Sequence, residues 1–378
     1  MTGHEFDLDR LRRHPDVEAP NLHAVDATDR LLLDTAAPLL ADAEPGEVVV
    51  LGDRYGALTL GAAGRFGCQA IRCHTDALTG ELARACNAER LGLTGSYSDC
   101  SLTAELVTGA RVVLAQAPKS LDELAEWTGL IAGHADPGAT VFLGGRVKYL
   151  TPAMNEGLGL AFGTVTAGLA RQKSRVITAS GLRRDLALPE FPKREWHADL
   201  GITVCAHGGA FAGTRIDIGT RRLLGVLDQL PTGDSTAESA IDLGCGTGVL
   251  AVALARRGVR VLASDSSAAA VRSCGATAEA NGLTDLITVQ RDDALASVPA
   301  SSAALIVCNP PFHSGAAVNT GAATRLFSAA ARTLAPGGQL WTVFNRHLDY
   351  VPALRRLVGP TRTVHRDSKF TVTASVRH

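Results

Sequence analysis

The chain has 378 residues, which is the length of two ordinary domains. Its hydrophobic content of 46% and charged content of 20% exclude a disordered protein, because each domain has enough apolar residues to bury a core. The net charge of −1 excludes a uniformly acidic or basic chain.

No membrane span or secretion signal is predicted. No apolar run is long enough to cross a bilayer, and Met1–Asp7 lacks the basic and apolar stretches of a signal peptide. We therefore expect a cytoplasmic protein. The eight cysteines include no Cys-x-x-Cys pair, so we expect packing residues and no metal site.

Charge is unevenly distributed along the chain. Residues 1–139 carry 11 Lys and Arg against 21 Asp and Glu, residues 140–225 carry 12 against 6, and residues 226–378 carry 14 against 11. Phosphate contacts require clustered basic residues, so the middle segment is a candidate RNA-binding surface. A solvated surface with incidental positive charge explains the same composition. The basic residues of this segment are Arg146, Lys148, Arg171, Lys173, Arg175, Arg183, Arg184, Lys193, Arg194, Arg215, Arg221 and Arg222.

The first half alternates short apolar strands with helical stretches. Strands are predicted at 47–51, 69–73 and 111–114, and a helix between the second and third ends near Gly92. This alternation is typical of a parallel sheet with helices on its faces. Arg171 to Pro192 is rich in Arg, Ser and Pro, which predicts a linker. We place the first domain at 1–170, the linker at 171–200 and the second domain at 201–378.

The second half shows the same alternation more clearly. The predicted strands and helices lie at 240–243, 249–257, 259–263, 267–281, 287–289, 304–308, 326–334 and 339–344. Such an order predicts a parallel, doubly wound sheet, in which ligands bind at the carboxyl ends of the strands.

The two halves have similar spacings. From Gly52 to Pro118 is 66 residues, and from Gly244 to Pro311 is 67. Gly92 follows Asp76 by 16 residues, as Gly282 follows Asp265 by 17. We interpret this as an internal duplication of a Rossmann-like α/β domain. The first copy is predicted to be degenerate, because bulky residues occupy its glycine turn and Gln116-Ala117-Pro118 stands where Asn309-Pro310-Pro311 stands in the second. Two unrelated α/β domains remain the alternative.

A cofactor site is predicted at the strand ends of the second half. Glycines after the first strand allow positive φ and close approach of a ligand to the backbone. Asp265, at the end of the next strand, can accept hydrogen bonds from two ribose hydroxyls. Asp293, at the third strand end, can accept from an adenine amino group, with Asp292 as its rival. The pattern predicts S-adenosylmethionine, held by Asp242, Gly244, Cys245, Gly246, Gly248, Asp265, Asp293 and Asn309.

Asn309-Pro310-Pro311-Phe312 is the most specific motif in the chain and the predicted catalytic loop. The side-chain oxygen of Asn309 and the carbonyl of Pro310 can each accept one N–H of an amino group. Holding both hydrogens favours tetrahedral geometry at nitrogen and frees its lone pair for a methyl sulfonium. The prolines fix φ, and Phe312 can stack on a planar base.

Two further residues are candidate substrate contacts beside Phe312. His313 directly follows the motif, and Arg346 follows the fifth strand on the same side of the predicted sheet. His313 has an equally good structural interpretation, and Arg346 is as easily explained as an ordinary surface residue.

With these residues in place, the chain resembles the ribosomal RNA guanine-N2-methyltransferases. It is similar to the large-subunit methyltransferase of type G more than to the small-subunit methyltransferase of type C. The segments that carry the resemblance lie along nearly the whole chain. They are Arg13–Pro15, Asn21–Ala24, Asp26–Ala27, Val147–Leu150, Phe162–Ala167, Ile216–Arg221, Asn309–His313, Asn345–Tyr350 and Ser368–Phe370.

The resemblance implies two tandem class I methyltransferase domains of which only the second binds cofactor. It also implies methylation of a guanine N2 in ribosomal RNA, with the RNA of the large subunit as the first choice of substrate. We expect a monomer. The same catalytic loop serves methylation of guanine N2 in the small subunit, of adenine N6 and of protein glutamine N5. A non-catalytic RNA-binding assembly factor is the alternative from a different class of protein.

Overall fold

Each half of the chain folds around its own seven-stranded sheet. The computed structural model describes residues 6–184, 188–231, 239–311 and 316–378, with only the backbone for 316–320. The chain divides into two units, which are Met1–Phe191 and Pro192–His378.

The strands of the first unit are Val48–Leu51 (β1), Ile71–His74 (β2), Tyr97–Asp99 (β3), Val112–Gln116 (β4), Thr140–Arg146 (β5), Phe162–Ala167 (β6) and Ser174–Leu182 (β7). Its helices are Ala27–Ala41 (α1), Ala57–Phe66 (α2), Leu78–Leu91 (α3), Ala104–Val107 (α4), Leu121–His134 (α5) and Pro152–Gly159 (α6). Short 3₁₀ turns lie at Leu8–Arg10 and Val147–Tyr149.

The second unit begins with a hairpin, Lys193–His197 (β8) and Ile202–Ala206 (β9). Its main strands are Ser239–Leu243 (β10), Arg260–Asp265 (β11), Ile287–Arg291 (β12), Ala303–Cys308 (β13), Leu334–Asn345 (β14), Thr361–Arg366 (β15) and Phe370–Val376 (β16). Its helices are Ile218–Leu224 (α7), Val249–Ala255 (α8), Ala268–Ala280 (α9), Ala316–Thr333 (α10) and Val351–Leu357 (α11). Short 3₁₀ turns lie at Leu227–Gln229 and Arg346–Leu348. No helix within the described residues is both long and apolar enough to cross a membrane.

The two sheets have the same strand order. It is β3-β2-β1-β4-β5-β7-β6 in the first unit and β12-β11-β10-β13-β14-β16-β15 in the second. The first five strands of each sheet run parallel, and the sixth strand, β7 or β16, is antiparallel to both of its neighbours. The central strand β1 is buried along its whole length, since helices cover both faces of the sheet. The predicted pair of Rossmann-like α/β domains is therefore confirmed at the level of the sheets.

The register of the strands corrects one predicted correspondence. Leu51 pairs with His74 in the first sheet, and Leu243 pairs with Ser264 in the second. The residue that occupies the place of Asp265 is therefore Thr75, and not Asp76 as the spacing suggested. With this alignment, Gly92 and Gly282 each follow by 17 residues.

The prediction of a linker at 171–200 is wrong for nearly half of its length. Residues 174–182 form β7, which pairs with both β5 and β6, and residues 193–197 form β8. The composition misled because partly exposed polar residues lie between the buried positions of this strand. Buried Val176, Ile177 and Ala179 share β7 with more accessible polar residues.

Candidate active site

The glycine loop after β10 has the backbone conformation that its sequence predicts. Gly244, Gly246 and Gly248 have φ values of 76°, 53° and 82°, in the left-handed region. A Cβ added at Gly244 or Gly246 would meet no atom within 4 Å, so these positions face open space. A Cβ at Gly248 would lie 2.7 Å from the Cys274 sulfur, so this glycine is required for packing. The loop leaves bare backbone where a ligand can approach.

Cys245 lies within this loop, and its side chain is buried. A hydrogen bond with Cys274, followed by burial and neighbouring negative charge, raises the pKa of its thiol. A neutral, buried thiol is a packing group, so any contact of Cys245 with a cofactor is expected to come from its backbone. No cluster of three or more metal-ligating side chains occurs within the described ranges.

Asp242 is fully buried in β10 and supports the loop from below. One of its carboxylate oxygens accepts a hydrogen bond from the backbone N–H of Ala251 at 3.0 Å, and so ties β10 to α8. The other oxygen has no partner among the described residues. Burial raises the pKa of Asp242 to about 7; the bond from Ala251 opposes the shift, and the charge of Asp265 adds to it. Asp242 thus holds the strand before the glycine loop against α8.

Asp265 ends β11 and lies against the glycine loop. Its Oδ2 accepts from the Gly246 N–H at 3.0 Å, and its Oδ1 accepts from the Ser267 N–H at 2.9 Å. Ser267 is also the N-cap of α9. The carboxylate is therefore fixed at the strand end, next to the open positions of the loop, where ribose hydroxyls were predicted to bind.

The rival residues Asp292 and Asp293 have different environments. Asp292 is buried, and its Oδ2 accepts from both the N–H and the hydroxyl of Ser297, at 3.0 and 2.6 Å. Asp293 forms an ion pair with Arg325 of α10. The carboxylate of Asp292 thus makes hydrogen bonds within its own turn. The carboxylate of Asp293 makes a surface ion pair, which a ligand could replace. This difference favours Asp293 as the adenine contact.

Asn309 directly follows β13, at the same edge of the sheet. Its Nδ2 donates to the Asp217 carboxylate at 3.1 Å and to the Thr220 hydroxyl at 2.9 Å. Its Oδ1 is buried, and no described residue donates a hydrogen bond to it. A buried acceptor without a donor is costly, so this oxygen is available for a substrate N–H.

Asp217 and Thr220 belong to the first turn of α7. Asp217 is the N-cap, and its Oδ2 also accepts from the N–H groups of Gly219 and Thr220. A Cβ at Gly219 would lie 3.2 Å from Asn309 Oδ1, so a glycine here allows close packing. Asp217 and Thr220 were not among the predicted site residues, although they lie in the segment Ile216–Arg221, one of those that resemble the methyltransferase family. An Asp-x-Gly-Thr N-cap signature was the available signal.

A groove of about 530 Å³ opens beside α7. Its lining residues are Ile218, Asn345, Arg346, His347, Ser368, Lys369 and Phe370. The Phe370 ring approaches within 3.4 Å of a Cβ built at Gly219, which connects the groove to the surroundings of Asn309. Arg346 lines this groove directly after the end of β14. Phe312 and His313 lie outside the described residues.

The basic segment at 140–225 divides between the two units. Seven of its Lys and Arg residues precede the boundary and five follow it. Several are already paired, including Arg171 with Asp34 and Arg222 with Asp367. The composition of the segment therefore does not by itself define one surface.

Comparison with known proteins identifies the relatives of this chain. Residues 2–182 match the model of the RLMG N-terminal domain, and residues 201–374 match that of the methyltransferase small domain. The "Ribosomal RNA large subunit methyltransferase G" of Streptomyces avermitilis is 38% identical over 97% of this chain and 96% of its own length. The protein of the same name in Shewanella amazonensis is 33% identical over 100% and 98%.

A solved structure has the same fold over nearly the whole chain. It is a T. thermophilus 16S rRNA N2 methyltransferase in complex with AdoMet and guanosine, with a TM-score of 0.75 and 22% identity. The match covers 93% of this chain and 92% of that one. The fold and the strand-end site together define a methyltransferase. Within that class, the chain belongs to the family of ribosomal RNA large subunit methyltransferase G.

Proposed function

We propose that the protein transfers a methyl group from S-adenosylmethionine to the exocyclic N2 amino group of a guanine in large-subunit ribosomal RNA. The observation that carries the proposal is the buried Oδ1 of Asn309, an acceptor without a described donor at the edge of the sheet. Full-length relatives that are named large-subunit RNA methyltransferases support the choice of substrate.

The chain's own residues supply position and acceptors. Asn309 Oδ1 accepts one N–H of the amino group, and the Pro310 carbonyl accepts the other. S-adenosylmethionine supplies an electrophilic methyl group on a sulfonium. The nitrogen lone pair forms the new C–N bond as the C–S bond breaks, and the nitrogen then releases one proton to water. Orientation of the two reactants accounts for at most about 7–11 kcal/mol of the barrier reduction.

The residues that surround the open loop fit this cofactor. Gly244 and Gly246 leave room for it, since added Cβ atoms there would point into open space. Asp265 would hold the ribose and Asp293 the adenine, the latter in exchange for Arg325. Asp242 fixes the loop through Ala251.

We assign no cofactor to the first unit, because an arginine occupies the equivalent place. Arg84 of α3 is fully buried beside the N-cap of α2, as Cys274 of α9 is beside the N-cap of α8. Its guanidinium donates to the Asp53 carbonyl and the Thr75 hydroxyl, both at 2.9 Å, and pairs with Asp99. A buried cation with these partners fills the space between three strand ends. This supports a degenerate first domain.

The remaining parts of the proposal concern RNA and assembly. Arg346 on the groove rim would contact a phosphate, and the stretch 312–313 would contact the base. The first domain, 1–170, would support RNA recognition, and the protein would act as a monomer. Access to an exocyclic amino group of a stacked guanine requires the base to be flipped out.

The testing experiment is radiolabelled methyl transfer to separated, unmodified large- and small-subunit ribosomal RNAs, followed by nucleoside analysis. We expect N2-methylguanosine in the large-subunit RNA. Label only in the small-subunit RNA would contradict the choice of RNA, and label only in transfer RNA or release factor would contradict the substrate class. Asn309→Ala is expected to abolish turnover while cofactor binding survives. Full activity of this variant would refute the role of Asn309.

A further inference from the structure

The side-chain amide of Asn309 can face only one way. Its nitrogen contacts the Asp217 carboxylate, which is an acceptor without a hydrogen to donate. The opposite orientation would bring the Asn309 oxygen within 3.1 Å of a carboxylate oxygen, and two acceptors would repel each other. We infer that Asp217 and Thr220 are positioning residues, which hold the Asn309 amide so that its oxygen faces the substrate. This inference rests on the proposed methyl transfer.

Orientation of this amide decides which substrate atom is accepted. With Oδ1 left as an acceptor without a donor, the site takes a nitrogen that carries hydrogens, such as an exocyclic amino group. A reversed amide would present N–H donors to the amino hydrogens, and the substrate nitrogen would lose its acceptor. The Asp217 charge also polarises the amide, because a donor bonded to a carboxylate leaves more negative charge on its own carbonyl oxygen.

A merely structural tie is the competing explanation. In the first unit, Gln116 occupies the place of Asn309 by register, and its amide donates to Asp29 in the first turn of α1. That bond joins a strand end to a helix without proposed chemistry. The test must therefore separate orientation of the Asn309 oxygen from attachment of α7 to the sheet.

Conservative variants make this separation possible. Thr220→Val removes the hydroxyl acceptor at nearly constant volume, and Thr220→Ser restores it. Asp217→Asn keeps a good N-cap but removes the charge and permits the Asn309 amide to turn. Thr342→Val is a matched control, because the Thr342 hydroxyl is buried with no described partner in β14 of the same unit.

Steady-state methyl transfer gives the first measurement. We expect kcat to fall about 3- to 10-fold in Thr220→Val and about 10- to 100-fold in Asp217→Asn, the ranges for neutral and charge-assisted hydrogen bonds. Thr220→Ser should recover most of the rate, and Thr342→Val should leave it unchanged. The dissociation constant for S-adenosylmethionine and the melting temperature should stay close to wild type in Thr220→Val.

Side-chain NMR gives a measurement that needs no substrate. The chain has seven asparagines, so selective ¹⁵N-asparagine labelling gives a short set of amide pairs, and Asn309→Ala identifies one of them. We expect the two Asn309 amide protons to exchange slowly in the wild type. Thr220→Val and Asp217→Asn should each shift the pair and speed its exchange, and Thr342→Val should not.

Two results would overturn the inference. One is an Asn309 amide pair that is unchanged in Thr220→Val and Asp217→Asn. The other is a loss of rate that is not recovered in Thr220→Ser, or that follows melting temperature and cofactor affinity. Absence of label in ribosomal RNA with the wild-type protein would contradict the proposed function alone, since the NMR result does not depend on the substrate.

Discussion

Replacement of Asp242 by Asn is expected to change how stability depends on pH. Burial raises the pKa of this carboxyl from 3.8 to about 7. A group whose pKa is raised on folding contributes stability below its unfolded pKa and loses it as pH rises through the folded value. Ionisation of Asp242 therefore destabilises the fold progressively between pH 4 and pH 7. The full shift corresponds to roughly 4 kcal/mol, and the part between pH 5 and pH 9 to roughly 3 kcal/mol.

The asparagine side chain of this variant cannot ionise, yet its oxygen can still accept from Ala251. The exchange of oxygen for nitrogen adds a cost that does not vary with pH, so it cancels when differences between pH values are taken. Asp29 and Glu123 of the first unit also have pKa values raised to about 7, mainly by burial. Both remain in the variant, and the difference between wild type and variant therefore isolates Asp242.

The assay is chemical denaturation of wild type and Asp242→Asn at each pH from 5 to 9. We expect the difference in free energy of unfolding, variant minus wild type, to rise by roughly 3 kcal/mol from pH 5 to pH 9. Most of the gain should occur below pH 7. Parallel stability curves would show that Asp242 titrates at its ordinary pKa in the folded protein, and would refute the reasoning.

Three further predictions concern ligands. Gly244→Ala should weaken cofactor binding and lower the free energy of unfolding by about 1 kcal/mol. Gly258→Ala is the control, because Gly258 has a φ of 82° and equally open surroundings, and it should cost the same stability and leave binding intact. Equal losses of binding in the two variants would argue against the glycine loop as the cofactor site. Calorimetric titration should give one S-adenosylmethionine per chain because of Arg84, and a stoichiometry of two would contradict the degenerate first domain. Arg346→Ala should weaken RNA binding and reduce the steepness of the log–log plot of the RNA association constant against salt concentration by about 1. Filter binding between low and moderate salt measures this slope. An unchanged slope would identify Arg346 as an ordinary surface residue.

Local sequence patterns predicted the core strands and helices of the second sheet, three strands of the first and part of the site. The glycine run, Asp265 and Asn309 were found because each follows a strongly apolar strand, and parallel strands place their carboxyl ends at one edge. The partners of Asn309 could not be found in this way. Asp217 lies 92 residues earlier in the chain, so only the folded sheet brings its carboxylate to the amide.

The missed strand has a different cause. The polar residues of 174–182 obscured β7, because partly buried Arg175, Thr178 and Ser180 interrupt its apolar residues. Composition alone cannot distinguish such a strand from a linker. The pattern that could have identified it is the β-branched pair Val176-Ile177, followed by the alternation of Ile177 and Ala179 with polar residues.

The two units make the same kind of amide contact at the end of the fourth strand of their sheets. Each unit has an amide side chain at this position. This amide donates to a carboxylate at the start of the helix that precedes the first strand of the sheet, from Gln116 to Asp29 and from Asn309 to Asp217. The main difference lies one helix further on, where Arg84 fills the strand ends of the first unit with its own charge and hydrogen bonds. Fold therefore explains the position of the amide in both units. We propose that the side chain beside the glycine N-cap, Arg84 in the first unit and Cys274 in the second, contributes to whether a ligand can reach the strand ends.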